Sequence, residues 1–130
     1  MNLHAFAISA ILGVGPASAP TPPGVVDRAP ALADDIVTAV AFGPLPFQGS
    51  GATEATVLAL VVIADHEGAH FDQRVIRCER TADDGRTVSL FGLMQGASWR
   101  GASRADLCVG GPLPAYLALL ALVGYAERCP

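Results

Sequence analysis

The sequence predicts a single small domain that is mainly α-helical. Its 130 residues match the usual length of one domain. Hydrophobic residues make up 52% and charged residues 15%, a composition that excludes an intrinsically disordered chain. Apolar stretches of helical length cover about residues 53–71 and 112–128, and a shorter one runs from Pro30 to a Gly-Pro pair at 43–44.

The charge balance excludes one class of partner. The net charge is −4, and all eight basic residues are arginines. A nucleic-acid-binding domain needs a basic surface, so we expect no nucleic-acid partner.

The N-terminal part has two interpretations. Residues 3–15 form an apolar run, and Ala17-Ser18-Ala19 follows as a small-residue cleavage pattern, which resembles a signal peptide. Alternatively, the run is an apolar segment that packs on a partner. It is too short to cross a bilayer, which takes about 20 apolar residues. We assign residues 1–19 to this segment and 20–50 to a proline-rich linker with a short helix opened by Pro30. Residues 51–130 form the main domain.

The main domain begins with a helix from about Thr53, a candidate N-cap, to Phe71. Its body is apolar on nearly all sides, which predicts a buried central helix. Residues 72–90 carry most of the charge and predict loops or a small hairpin, with a turn at Asp83-Asp84-Gly85. Ser103 is placed to cap another turn, and the last helix runs from Pro112 to Arg128.

Two motifs share Glu67. The first is His66-Glu67-Gly68-Ala69-His70, which places two histidines one helical turn apart, at a spacing that can hold zinc with Glu67 as general base. The one remaining histidine is His4. Since a catalytic zinc needs three protein ligands and no second motif supplies the third, we expect no metal and no cofactor.

The second motif pairs Glu67, on an apolar helix, with Phe91-Gly92-Leu93-Met94-Gln95. This combination resembles the lysozyme-like lytic transglycosylases and the goose-type lysozymes. The resemblance covers about residues 53–130. It implies a small lysozyme-like domain, with Glu67 as catalytic acid and residues 92–95 lining the sugar-binding cleft. Ser89 and His70 are further candidates for contact with the sugar. The chain departs from the family pattern at Gly68, where a serine is usual, and it has no tyrosine followed by asparagine.

The residues around Glu67 support an acid role on physical grounds. Leu60, Ile63, Ala64 and Phe71 would share its helical face, so we expect an apolar setting that desolvates the carboxyl group. Desolvation favours the protonated form, which a general acid needs near neutral pH.

We therefore expect a lytic transglycosylase that cleaves the glycan strand of peptidoglycan. It would work outside the cytoplasm or as part of a phage particle. A single catalytic carboxylate suits a lytic transglycosylase better than it suits a hydrolase that needs two carboxylates. Two alternatives stay open. One is a zinc-dependent peptidase that uses His66, Glu67 and His70. The other is a non-enzymatic lysozyme-like module of a phage or envelope assembly, with the apolar C-terminal helix as a surface for a protein partner.

The cysteine spacing restricts the disulfide pairing. Cys78, Cys108 and Cys129 allow one internal bridge. A continuous helix over 112–128 would be about 25 Å long. It would keep Cys108 and Cys129 beyond the separation of about 7 Å that a bridge allows. The bridge should use Cys78, and we favour Cys78–Cys108 because both segments should border the cleft.

Overall fold

A computed structural model describes residues 2–14, 24–68, 71–92, 103–108 and 111–129. Within these ranges the chain is mainly α-helical, which confirms the predicted class. The helices are α1 (Leu3–Gly13), α2 (Val25–Phe42), α3 (Ala52–Glu67), α4 (Gln73–Ile76), α5 (Arg104–Cys108) and α6 (Leu113–Arg128). No helix in these ranges has the length and apolar character needed to span a membrane.

Helix α1 belongs to the core of this chain. Asn2 caps it, since its Oδ1 accepts a hydrogen bond of 2.7 Å from the Ala5 N–H. Ala7 and Ile11 are buried, and the helix packs on α2 and α3. Residues 3–13 of the apolar N-terminal run therefore pack inside the domain.

Helix α2 is longer than predicted. We expected a short helix opened by Pro30 after a linker, but α2 begins at Val25 and Pro30 lies inside it. The proline removes one backbone donor, and its ring lies on the exposed side of the helix. Burial of apolar residues along the whole helix offsets that loss; they are Val25, Ala29, Ala33, Ile36, Ala39 and Val40.

Both ends of α3 differ from the prediction. The helix begins at Ala52 with Gly51 as its N-cap, so Thr53 lies in the first turn and does not cap it. It ends at Glu67, where Gly68 is the C-cap, and Phe71 lies beyond it. Gly68 has a φ of −91°, so its role is steric: a Cβ at this position would meet Leu90 and the Ala64 carbonyl oxygen.

The centre of α3 is buried on one side only. Thr56, Val57, Leu60, Val61 and Ala64 are fully covered. Leu58 and Val62 are 44% and 46% exposed, so the helix is not surrounded by protein as its composition suggested. An apolar sequence on all sides does not by itself determine how many neighbours a helix has.

Residues 72–90, predicted as loops or a small hairpin, contain the short helix α4, which was not predicted, and then a small hairpin. Thr81 and Thr87 form an antiparallel bridge, and the Val88 N–H donates to the Arg80 carbonyl over 2.9 Å. Gly85 has a φ of +82°, which suits a tight turn. The predicted turn at Asp83-Asp84-Gly85 is thus confirmed.

The C-terminal region also matches the sequence patterns. Ser103 caps α5: its Oγ accepts from the Asp106 N–H, and Asp106 Oδ2 accepts from the Ser103 N–H in return. These hydrogen bonds lower the pKa of Asp106. Helix α6 continues through Gly124 to Arg128 and packs on α2, α3 and α5.

The disulfide is the predicted one. Cys78 and Cys108 are bonded with a Cα–Cα distance of 5.8 Å, and Cys129 is free and exposed. The bridge joins the segment after α4 to the end of α5. It therefore ties the two sides of the region that contains the sequence motif at 91–95.

Candidate active site

Glu67 is the last residue of α3, at the point where the chain leaves the helix. The Gly68 N–H donates to the Ala64 carbonyl over 2.9 Å and closes the final turn. A Cβ on Gly68 would contact that same carbonyl oxygen and would lie 2.5 Å from Leu90 Cδ1. The glycine thus lets the loop at residues 89–92 pack directly on the end of α3. The serine usual in the resembling family would not fit here without a shift.

The side chain of Glu67 lies against the backbone of Gly92. A Cβ on Gly92 would be 2.9 Å from both Cγ and Cδ of Glu67 and 3.0 Å from its Oε2. Gly92 has a φ of +74°, and its N–H donates to the Ser89 carbonyl over 3.1 Å. The fold therefore brings Glu67 to the glycine that begins the Gly-Leu-Met-Gln segment.

Glu67 is exposed, which differs from the desolvated setting that we expected. Of the apolar residues expected on its helical face, Leu60 and Ala64 are buried and Ile63 is half-buried, whereas Phe71 lies beyond the end of the helix. Glu67 ends the helix, and its side chain lies against Gly92. The end of α3 thus combines a buried apolar side with an exposed glutamate.

Ser89 is not available to a substrate. Its side chain is only 1% exposed. It was a candidate for sugar contact, but the structure gives it a place in the turn that holds Gly92. The candidates His70, Leu93, Met94 and Gln95 lie outside the described residues.

The described residues include two of the three residues of the zinc alternative, His66 and Glu67. His66 is exposed at the end of α3, next to Glu67, and His70 lies outside the described residues. Among the residues that are described, no group of three His, Cys, Asp or Glu side chains could hold a metal ion. The absence of a metal stays a prediction.

The acidic hairpin next to the site has its own local partners. Asp84 Oδ1 accepts from the Arg86 N–H over 3.0 Å, and Asp84 Oδ2 lies 3.5 Å from Arg86 Nε. Asp84 therefore stabilises the turn in which it lies.

Arg28 supports the site in a way that the sequence did not predict. Its Nη2 donates to the Phe71 carbonyl over 2.6 Å, which joins α2 to the turn that follows Glu67. Phe71 has a φ of +62°, an uncommon conformation for a bulky residue. Burial of its ring and the hydrogen bond from Arg28 hold it there. We missed Arg28 because we began the helix at Pro30.

Comparisons with known proteins give no relatives. No family model, no curated protein and no solved structure matches this chain.

Replacing Gly92 with alanine should impair the site more than it impairs the fold. The alanine Cβ would collide with the Glu67 side chain, and the positive φ would cost about 1–2 kcal/mol. A displacement of about 1 Å at a catalytic group can lower the rate about 100-fold. If Glu67 is the catalytic acid, we therefore expect that scale of loss in kcat, with a modest loss of stability measured by urea unfolding.

Gly85→Ala is the matched control. Gly85 also has a positive φ, at +82°, but a Cβ there meets nothing within 4 Å. The Gly85→Ala variant should lose about as much stability as the Gly92→Ala variant and keep its activity. Equal activity losses in both variants would show that contact with Glu67 plays no part.

Proposed function

We propose that this chain is a lytic transglycosylase that cleaves the glycosidic bond of peptidoglycan with Glu67 as general acid and then general base. The observation that carries the proposal is the contact between Glu67 and Gly92. It joins, in space, the two parts of the motif that resembles this family. An exposed carboxylate beside a glycine backbone also leaves room for a polymer to approach.

The chemistry needs one carboxyl group. Protonated Glu67 gives its proton to the glycosidic oxygen as the bond to the anomeric carbon breaks. The 2-acetamido oxygen of the same sugar attacks that carbon, as in substrate-assisted glycosidases. The Glu67 carboxylate then accepts the proton of the 6-hydroxyl group, whose oxygen bonds to the anomeric carbon and releases the acetamido group. An anhydro sugar forms, no water is consumed, and Glu67 is protonated again.

Because Glu67 is exposed, we assign the desolvation of its carboxyl group to the bound substrate. In the free chain, water solvates the carboxylate. A bound glycan strand would displace that water, and the resulting loss of solvation favours the protonated form. Substrate binding would then prepare the acid.

The disulfide supports action outside the cytoplasm. Disulfides persist in oxidising compartments and are rare in the cytosol. The Cys78–Cys108 bridge therefore suits a secreted or periplasmic protein, or a phage particle that meets the cell wall.

Product analysis tests the proposal. Purified protein is incubated with peptidoglycan sacculi, with and without EDTA, and the soluble products are analysed by mass spectrometry. We expect muropeptides that end in anhydro sugars in both samples. Reducing ends would indicate a hydrolase, and EDTA-sensitive cleavage of peptide bonds would indicate the zinc peptidase. No release at all would favour the non-enzymatic module.

A further inference from the structure

A cavity of about 320 Å³ lies between α2, the disulfide and the start of α6. Its walls are mostly apolar and include Leu32, Val75, Ile76, Leu90, Phe91 and Leu107. At about 30 Å³ per water-sized group, it has room for about ten non-hydrogen atoms. That volume suits one extended side chain, whereas a disaccharide is too large for it.

Among the described residues that line the cavity, acidic side chains outnumber basic ones. Asp27 and Asp35 are the acidic residues of this set, and Arg28 is its one basic residue. Arg28 already donates to the Phe71 carbonyl. Asp35 is half-buried and makes no hydrogen bond or ion pair to any residue, as far as the described ranges show. An apolar cavity with a carboxylate that lacks a cation is complementary to an aliphatic chain that ends in an amine.

The cavity shares a wall with the candidate active site. Phe91 lines the cavity, and the next residue, Gly92, contacts Glu67. Leu90 also lines it and packs against Gly68 at the end of α3. The loop at residues 89–92 therefore borders both the cavity and the end of α3 that carries Glu67.

We propose that this cavity binds an alkylammonium side chain, with Asp35 as the ion partner of the amine. Under the proposed function, on which this assignment of the source rests, the ligand is the diamino acid in the peptide arm of peptidoglycan. The enzyme would then prefer glycan strands that carry peptides with a free amine.

Direct binding of a small probe tests the chemistry without any enzyme assay. Nα-acetyl-lysine methylamide is titrated into the labelled protein and followed by NMR. We expect saturable shifts at Leu32, Val75 and Leu107, and at least tenfold weaker binding in Asp35→Asn. The Nε-acetylated probe, which has no charge, should not bind. Asp34→Asn is the control. It removes the same charge from the same helix, but Asp34 does not line the cavity.

Three results would overturn the proposal: no shifts at the cavity, equal binding of the acetylated probe, or unchanged binding in Asp35→Asn. Glu67→Gln should bind the probe normally. Probe binding by a protein that releases no muropeptides would retain the alkylammonium site and reject its peptidoglycan source. For an active enzyme, Asp35→Asn should lower kcat/KM about tenfold on strands with peptides and leave it unchanged on strands stripped of peptides. An equal effect on both would reject the peptide assignment alone.

A stability measurement gives a second readout and shows that Asp35→Asn is folded. Burial and the neighbouring Asp34 carboxylate raise the pKa of Asp35 above its ordinary value. The other charged groups at the cavity are Asp27 and Arg28; the described residues that line it from the other elements carry no charge. Ionised Asp35 therefore costs the folded state stability as the pH rises from 3.8 through the folded pKa. Asp35→Asn should be more stable than the parent at neutral pH and equal to it well below pH 3.8.

Discussion

Replacing Glu67 with glutamine is expected to lower the rate of muropeptide release by about 10²–10⁴-fold. The amide has nearly the same shape as the carboxyl group, so it retains the contact with Gly92, but it cannot donate or accept the catalytic proton. The effect should appear in kcat with little change in KM, because substrate contacts outside the reacting bond are unchanged. Initial rates on sacculi, quantified by chromatography of the soluble products, measure it.

The matched control is Glu54→Gln. Glu54 lies in the first turn of the same helix and is exposed, at the opposite end from Glu67. It should have parental activity and similar stability. A Glu67→Gln enzyme that is as active as the control would reject Glu67 as the acid. Cleavage that persists in the Glu67→Gln variant and is lost with EDTA would show that the activity depends on a metal ion.

Removal of the disulfide should have the largest effect on stability. The bridge closes a loop with a sequence separation of 30 residues, for which the chain-entropy model gives about 3–4 kcal/mol. The double variant Cys78→Ser, Cys108→Ser should lose about that much free energy of unfolding, measured by urea titration. The loss should also reduce activity, because the bridge holds the regions before and after the motif at 91–95.

Cys129→Ser is the control for this variant. Cys129 is free and exposed after the end of α6, so its replacement should change stability by less than about 0.5 kcal/mol. Peptide mapping under non-reducing conditions should yield a Cys78–Cys108 peptide. A Cys108–Cys129 peptide would contradict the continuous α6, and three free thiols would contradict the oxidising compartment.

The sequence alone determined the features that depend on neighbouring residues. The turn at Asp83-Asp84-Gly85, the Ser103 cap and the extent of α6 follow from side-chain hydrogen bonds, backbone preferences and apolar spacing within a few positions. The length of the last helix also excluded a Cys108–Cys129 bridge, whereas the choice of Cys108 over Cys129 as the partner of Cys78 rested on the expected cleft and was decided by the fold. Glu67 could be singled out because its motif is compact and chemically specific.

Tertiary packing decided the rest. Helix α2 extends through Pro30 because burial along its whole length outweighs one missing hydrogen bond, and no local pattern gives that balance. The contact between Glu67 and Gly92, the burial of Ser89 and the cavity at Asp35 all arise where segments distant in the chain meet. A side chain's exposure depends on what packs over it, and this is why the sequence predicted a desolvated Glu67 whereas the fold leaves this residue exposed.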